Sequence, residues 1–134
     1  MSEERAGNGA GVVTKLGQRS VADTVLRLKD LIVDKGMTLF AAIDQSAAAR
    51  QAGLQLRETV LVVFGNPAAG TLVMQSAPLA ALDLPLKVVI WDDSGQTKVT
   101  YYSPNAVASR YHLSPDLEAK LAGIDPLTDV LVRG

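Results

Sequence analysis

The run Thr59-Val60-Leu61-Val62-Val63-Phe64 has no polar residue after its first position and ends at Gly65-Asn66-Pro67. Continuous apolar, valine-rich sequence of this length reads as a strand covered on both faces or lying at the centre of a sheet, and we place it centrally. Asn66 is suited to cap a helix and Pro67 to occupy its first position, with Leu72, Val73 and Met74 following, so a strand-to-helix elbow is expected.

Helix signals are clearest upstream. Ser20 with Asp23 makes a capping-box-like start, Lys35-Gly36 supplies a cation and a terminal glycine, and Val21, Val25, Leu28 and Ile32 fall on one helical stripe. Val12, Val13 and Leu16 suggest a short first strand. Met37 to Ile43 reads as a strand ending at Asp44-Gln45, and Ser46 is expected to cap the short alanine-rich helix that stops at Gly53. Leu86–Trp91 and Thr97–Tyr102 form a hairpin through the turn Asp92-Asp93-Ser94-Gly95. Ser114-Pro115 opens a helix with Leu117, Leu121 and Ile124 in its stripe, and Asp125-Pro126 resets the chain into a last amphipathic segment through Val130 and Leu131.

These elements do not alternate regularly enough for a doubly wound parallel sheet. They predict an α+β fold with a mainly antiparallel sheet and helices on one face. At 134 residues the chain is one domain, residues 11–134, preceded by a flexible, glycine-rich arm at 1–10.

The elbow Gly65-Asn66-Pro67, the segment Ala81-Leu82-Asp83-Leu84-Pro85-Leu86 and the Trp91-Asp92-Asp93-Ser94-Gly95 hairpin together resemble the family called domain of unknown function 302, over about residues 20 to 112. The resemblance implies a compact domain with a TBP-like arrangement of helices against a curved antiparallel sheet. It further implies a dimer, no assigned reaction and no DNA binding. The pattern departs at Ser76-Ala77-Pro78, where members often carry Asn-Pro.

Thirteen Lys and Arg against fourteen Asp and Glu lack the basic excess of a protein that binds nucleic acid by neutralising phosphates. The absence of cysteine excludes disulfides, thiolate nucleophiles and cysteine metal sites, and fits the cytoplasm. No secretory core is expected at the N-terminus. The run Val60–Phe64 is far shorter than the roughly 18 residues of a spanning helix. Neither nucleic acid nor membrane is therefore an expected partner.

Gly65-Asn66-Pro67-Ala68-Ala69-Gly70-Thr71 has the glycine spacing of a phosphate-binding loop, but the lysine is missing and Pro67 deletes a donor. Its remaining N–H groups are candidates for a carboxylate or small phosphate. His112 is the only histidine, so no site needing two imidazoles exists within one chain, and its place favours a surface or capping role. A triad through Ser103 or Ser109 lacks a nucleophile-elbow signature. Asp92 and Asp93 are explained by turn chemistry. Asp44 ends an apolar strand and is a candidate for a partly buried carboxylate paired with Arg50 or Arg57. Tyr101 and Tyr102 point to opposite faces, so one is exposed or interfacial, and with Trp91 they suit a ligand groove or a dimer seam.

The expected function is a cytoplasmic homodimeric domain, non-enzymatic, that binds a protein or small molecule. Its candidate ligand residues are Gly65, Asn66, Pro67, Asp44, Tyr101 and Tyr102. No cofactor, metal or catalytic residue is assigned. The rival reading is a small-molecule enzyme or ligand-binding protein with a pocket lined by Asn66, Asp44 and a hairpin tyrosine.

Overall fold

The computed structural model describes residues 11–134, so the proposed arm at 1–10 lies outside the described residues. The chain runs β1 (Val12–Leu16), α1 (Val21–Asp34), β2 (Thr38–Asp44), α2 (Gln45–Gln51), β3 (Thr59–Gly65), α3 (Pro67–Ser76), a 3-10 turn (Pro78–Leu82), β4 (Leu86–Asp93), β5 (Gln96–Tyr102), α4 (Pro104–Tyr111), α5 (Pro115–Leu121) and α6 (Ile124–Val132). The strands form one sheet in the order β1-β5-β4-β3-β2, and every neighbouring pair is antiparallel. The α+β expectation is therefore met.

Local signals account for most element ends. Ser20 Oγ accepts from the Asp23 N–H at 3.1 Å, and α1 stops where Gly36 takes a φ of +70°. Val21, Val25, Leu28 and Ile32 are buried, as their helical spacing requires. The hairpin turn narrows to Ser94 and Gly95, both at positive φ, with Asp93 opposite Gln96, which matches the right-handed twist of the flanking strands.

Three expectations are corrected. β3 is an interior strand but not the central one. β4 holds that place, with β2 beyond β3 at the edge. Helices cover only one face, so Val62 and Phe64 are fully buried while Leu61 and Val63 on the other face are half-buried. The first helix after β2 is capped by Asp44, whose side chain accepts from the Ala47 N–H at 2.9 Å, and the Ser46 hydroxyl donates to Asp44 Oδ1 at 2.6 Å. Ile124 belongs to α6 rather than to the Ser114-Pro115 helix, because the chain breaks after Leu121 and Asp125-Pro126 is absorbed into the first turn of α6.

The main core lies between the sheet and α1 and α6. Leu28, Ile32, Val62, Phe64, Val88, Ile90, Val99 and Leu131 are buried there. Each fully buried side chain of this size contributes about 1.5–3 kcal/mol. A second cluster gathers Val73, Ala80, Leu84, Val107 and Leu121 from α3, the 3-10 turn, α4 and α5, and Leu86 packs against both clusters. Between them, beside the elbow, the packing leaves a recess.

Candidate functional site

The elbow forms as its sequence predicts. Asn66 Oδ1 accepts from the Ala68 and Ala69 N–H groups at 3.0 and 3.2 Å, and Pro67 opens α3. The Gly70 N–H donates to the Asn66 carbonyl at 2.9 Å. Pro67 has no N–H, so the first turn of α3 is satisfied by its own cap. The backbone donors proposed as a carboxylate or phosphate cradle are already engaged.

Beside this elbow opens a cleft of about 370 Å³. Its floor is Phe64 and Leu86 of the sheet, and its walls come from Met37, Gly70 of α3, and Ile124, Leu127 and Val130 of α6. Among the described residues, the charged ones lining it are Lys35 and Lys120, both exposed, and no carboxylate does. Lys35 is the C-terminal cap of α1 and Lys120 lies in the last turn of α5, so two helix ends deliver two cations to one mouth.

The candidate residues do not assemble into one pocket. Asp44 pairs with Val60 across the β2–β3 ladder, whereas Thr38 pairs with Gly65. Asp44 therefore sits at one end of that ladder and Asn66 just past the other, roughly 20 Å apart at about 3.4 Å per residue. Asp44 lines a separate groove between α1 and β2 with Leu26, Ala42 and Val60. It is exposed rather than partly buried. Its hydrogen bonds with Ser46 and then Ala47 hold its carboxyl below the usual aspartate range, against a small desolvation, with Arg50 adding a weaker attraction. Arg57 pairs instead with Asp93 at 3.3 Å, so the proposed Asp44 ion pair is replaced by a helix cap.

The two tyrosines divide as strand alternation requires: Tyr101 is buried and Tyr102 is 45% exposed. Neither lines the Asn66 cleft. The Tyr101 hydroxyl donates to Asp125 Oδ1 at 2.6 Å and accepts from the Thr128 hydroxyl at 3.2 Å. Burial first, then the Asp125 carboxylate, push its ionisation well above the ordinary tyrosine value. Lys15 completes this knot, donating to Thr128 Oγ1 at 2.7 Å and pairing with Asp129 at 2.7 Å. The arrangement ties β1 and β5 to α6.

The remaining candidates have structural roles. Asp93 pairs with Lys98 at 2.7 Å, and Asp92 accepts from the Gly95 N–H within the turn. His112 ends α4 in a left-handed conformation, φ 54°. Ser103 caps α4, accepting from the Ala106 N–H at 3.0 Å. Among the described residues, no three His, Asp or Glu side chains come together as a metal-holding group. No described helix is long and apolar enough to cross a membrane.

Comparison with known proteins places this geometry. The family model described as domain of unknown function DUF302 matches residues 12–129. The protein named fluoride-specific ion channel FluC 1 of Brucella suis biovar 1 (strain 1330) is 39% identical over 105 residues, covering 78% of this chain and 41% of that protein. The FluC 1 protein of Brucella abortus biovar 1 (strain 9-941) is likewise 39% identical over 105 residues, covering 39% of its own length. The chain thus spans about two fifths of the length of these curated relatives. The crystal structure of an uncharacterized conserved DUF302 protein from Bacillus stearothermophilus superposes with a TM-score of 0.77 at 20% identity, over 91% of this chain and 95% of that one. It shows the shared fold.

Proposed function

The chain belongs to the DUF302 family, and from that premise we propose that it is a cytoplasmic homodimeric binding domain, joined along β2, with the elbow cleft as its ligand recess. The observation that carries the reading is the state of β2. It is an outer strand in which Leu39, Phe40 and Ile43 are 38%, 50% and 43% exposed, and no charge appears before Asp44. Natural edges are normally blunted by lysine, proline, a bulge or a covering element; β2 carries a register irregularity between Leu39 and Ala41 but neither lysine nor proline. Beside it, Ala22, Leu26, Lys29 and Val33 form one stripe of α1, with Leu26 60% and Val33 73% exposed. Strand and stripe make a largely apolar surface interrupted by Lys29, and a second copy related by a two-fold axis presents the same surface in return. The absence of cysteine is compatible with the cytoplasm.

We do not extend fluoride conduction to this chain. It matches only part of the proteins so named, and its described residues include no helix able to span a bilayer.

Native mass spectrometry of the untagged protein, set beside its denatured mass, tests the reading. A dimer mass is expected, with Phe40→Lys or Ile43→Lys giving a folded monomer. A native protein that is monomeric at micromolar concentration overturns the seam. Added mass that denaturation removes supports an occupied recess.

A further inference from the structure

We propose that the elbow cleft takes a small amphiphilic anion, its apolar body against Met37, Leu86 and Val130 and its carboxylate head at the mouth between Lys35 and Lys120. The proposal rests on the reading of the cleft as a recess and is independent of the dimer seam.

Three features of the lining choose this class. The volume, about 370 Å³, falls in the range of small-molecule pockets, and the surface is chiefly apolar, which favours a hydrocarbon body. Among the described residues the charge at its mouth has one sign, since Lys35 and Lys120 line it and no described Asp or Glu does. Neither lysine makes an ion pair with another described residue. The backbone donors of α3 are taken by Asn66, so the head group's counter-charge falls to the two ammonium groups. A neutral ligand leaves these cations unused, and a cationic one is repelled. Both lysines also complement the dipoles of the helices they end, a role that requires no apolar cleft between them. The experiment must separate the two roles.

Octanoate, octanol and octyltrimethylammonium serve as probes, with the Met37 methyl resonance of the folded protein as the reporter. Octanoate is expected to shift it saturably and to bind at least about tenfold more tightly than octanol, the scale of one charge-assisted hydrogen bond. Lys35→Gln with Lys120→Gln is expected to remove that advantage while leaving octanol binding unchanged, and the Lys→Arg pair to keep it. Both positions are exposed, so thermal unfolding will confirm that the variants fold. Equal binding of octanoate and octanol, or an unchanged octanoate affinity in the Gln pair, overturns the anionic class but leaves the recess standing. No shift with any probe overturns the recess as well.

Discussion

The Tyr101 hydroxyl donates to Asp125 Oδ1 across 2.6 Å, joining the inner face of β5 to the first turn of α6. Because Thr128 also donates to the same hydroxyl, Tyr101→Phe leaves polar groups of α6 short of a partner in a largely dry setting. The expected loss is about 1–2 kcal/mol, read from urea unfolding at neutral pH. The tyrosine's ionisation is raised, so its contribution is complete below the ordinary value of 10.0 and fades as pH climbs beyond it. Wild type should therefore lose stability under alkaline conditions more steeply than Tyr101→Phe. Parallel curves reject this role for the hydroxyl.

Asp83 carries the acid side of the stability profile. Burial opposes its charge, but the Tyr111 hydroxyl and the Arg110 guanidinium, each 2.6 Å from Oδ2, outweigh that and lower its ionisation below the ordinary 3.8. A lowered carboxyl contributes in full above 3.8 and loses that contribution as pH falls through the depressed value. Asp83→Asn should cost about 1 kcal/mol at pH 7 and markedly less at pH 2. Chemical denaturation at the two pH values decides it, and a cost that does not shrink in acid counts against the pairing.

Gly11 marks a close approach of chain to helix. Its φ is +75°, and a Cβ placed there would lie 2.5 Å from the Cβ of Ala106 in α4, while its carbonyl accepts from the Ser103 N–H. Gly53 has a comparable φ of +79° with open space around it. Gly53→Ala should cost about 1 kcal/mol, the penalty of left-handed backbone alone, and Gly11→Ala about 2–3 kcal/mol. Melting temperatures of the two variants provide the comparison, and equal losses would show that the Ala106 contact is easily relieved.

His112 occupies the left-handed position after α4, where glycine is the favoured residue. His112→Gly is expected to hold or raise stability by about 0.5 kcal/mol, and to leave octanoate binding unchanged because the residue lies outside the cleft. A fall in binding in a fully stable variant would give the imidazole a role that its position does not suggest.

Legibility in the sequence followed the range of the forces involved. Caps and turns are local, so Ser20, Asn66-Pro67, Ser94-Gly95 and Ser114-Pro115 each marked an element end correctly. The same Ser-Pro signal at Ser103-Pro104 opens α4. That helix was missed because its short span, Pro104–Tyr111, carries few large apolar residues and leaves only a faint stripe. Where two caps competed, Asp44 prevailed over Ser46, since a carboxylate two residues earlier can accept from both the Ser46 hydroxyl and the Ala47 N–H. The cleft was beyond reach of pattern. Met37, Phe64, Leu86 and Ile124 converge only through sheet register and the docking of α6, and nothing local links Lys35 to Lys120. Pairing Asn66 with Asp44 failed for the same reason: an antiparallel β2–β3 ladder carries the two residues to opposite ends.

Asn66 offers the sharpest separation of scaffold from site, because its side chain caps α3 while its position borders the cleft. Asn66→Ala removes an acceptor that serves two N–H groups and should cost about 1 kcal/mol. Asn66→Asp restores that acceptor and adds a negative charge favoured at a helix N-terminus, so stability should return to wild type or slightly above it. The same charge stands beside the mouth that Lys35 and Lys120 make attractive to anions. Octanoate affinity should therefore fall in Asn66→Asp even though the fold is intact, while octanol affinity stays as it was. If the aspartate variant is stable and binds octanoate as well as wild type, the head group does not sit at this mouth.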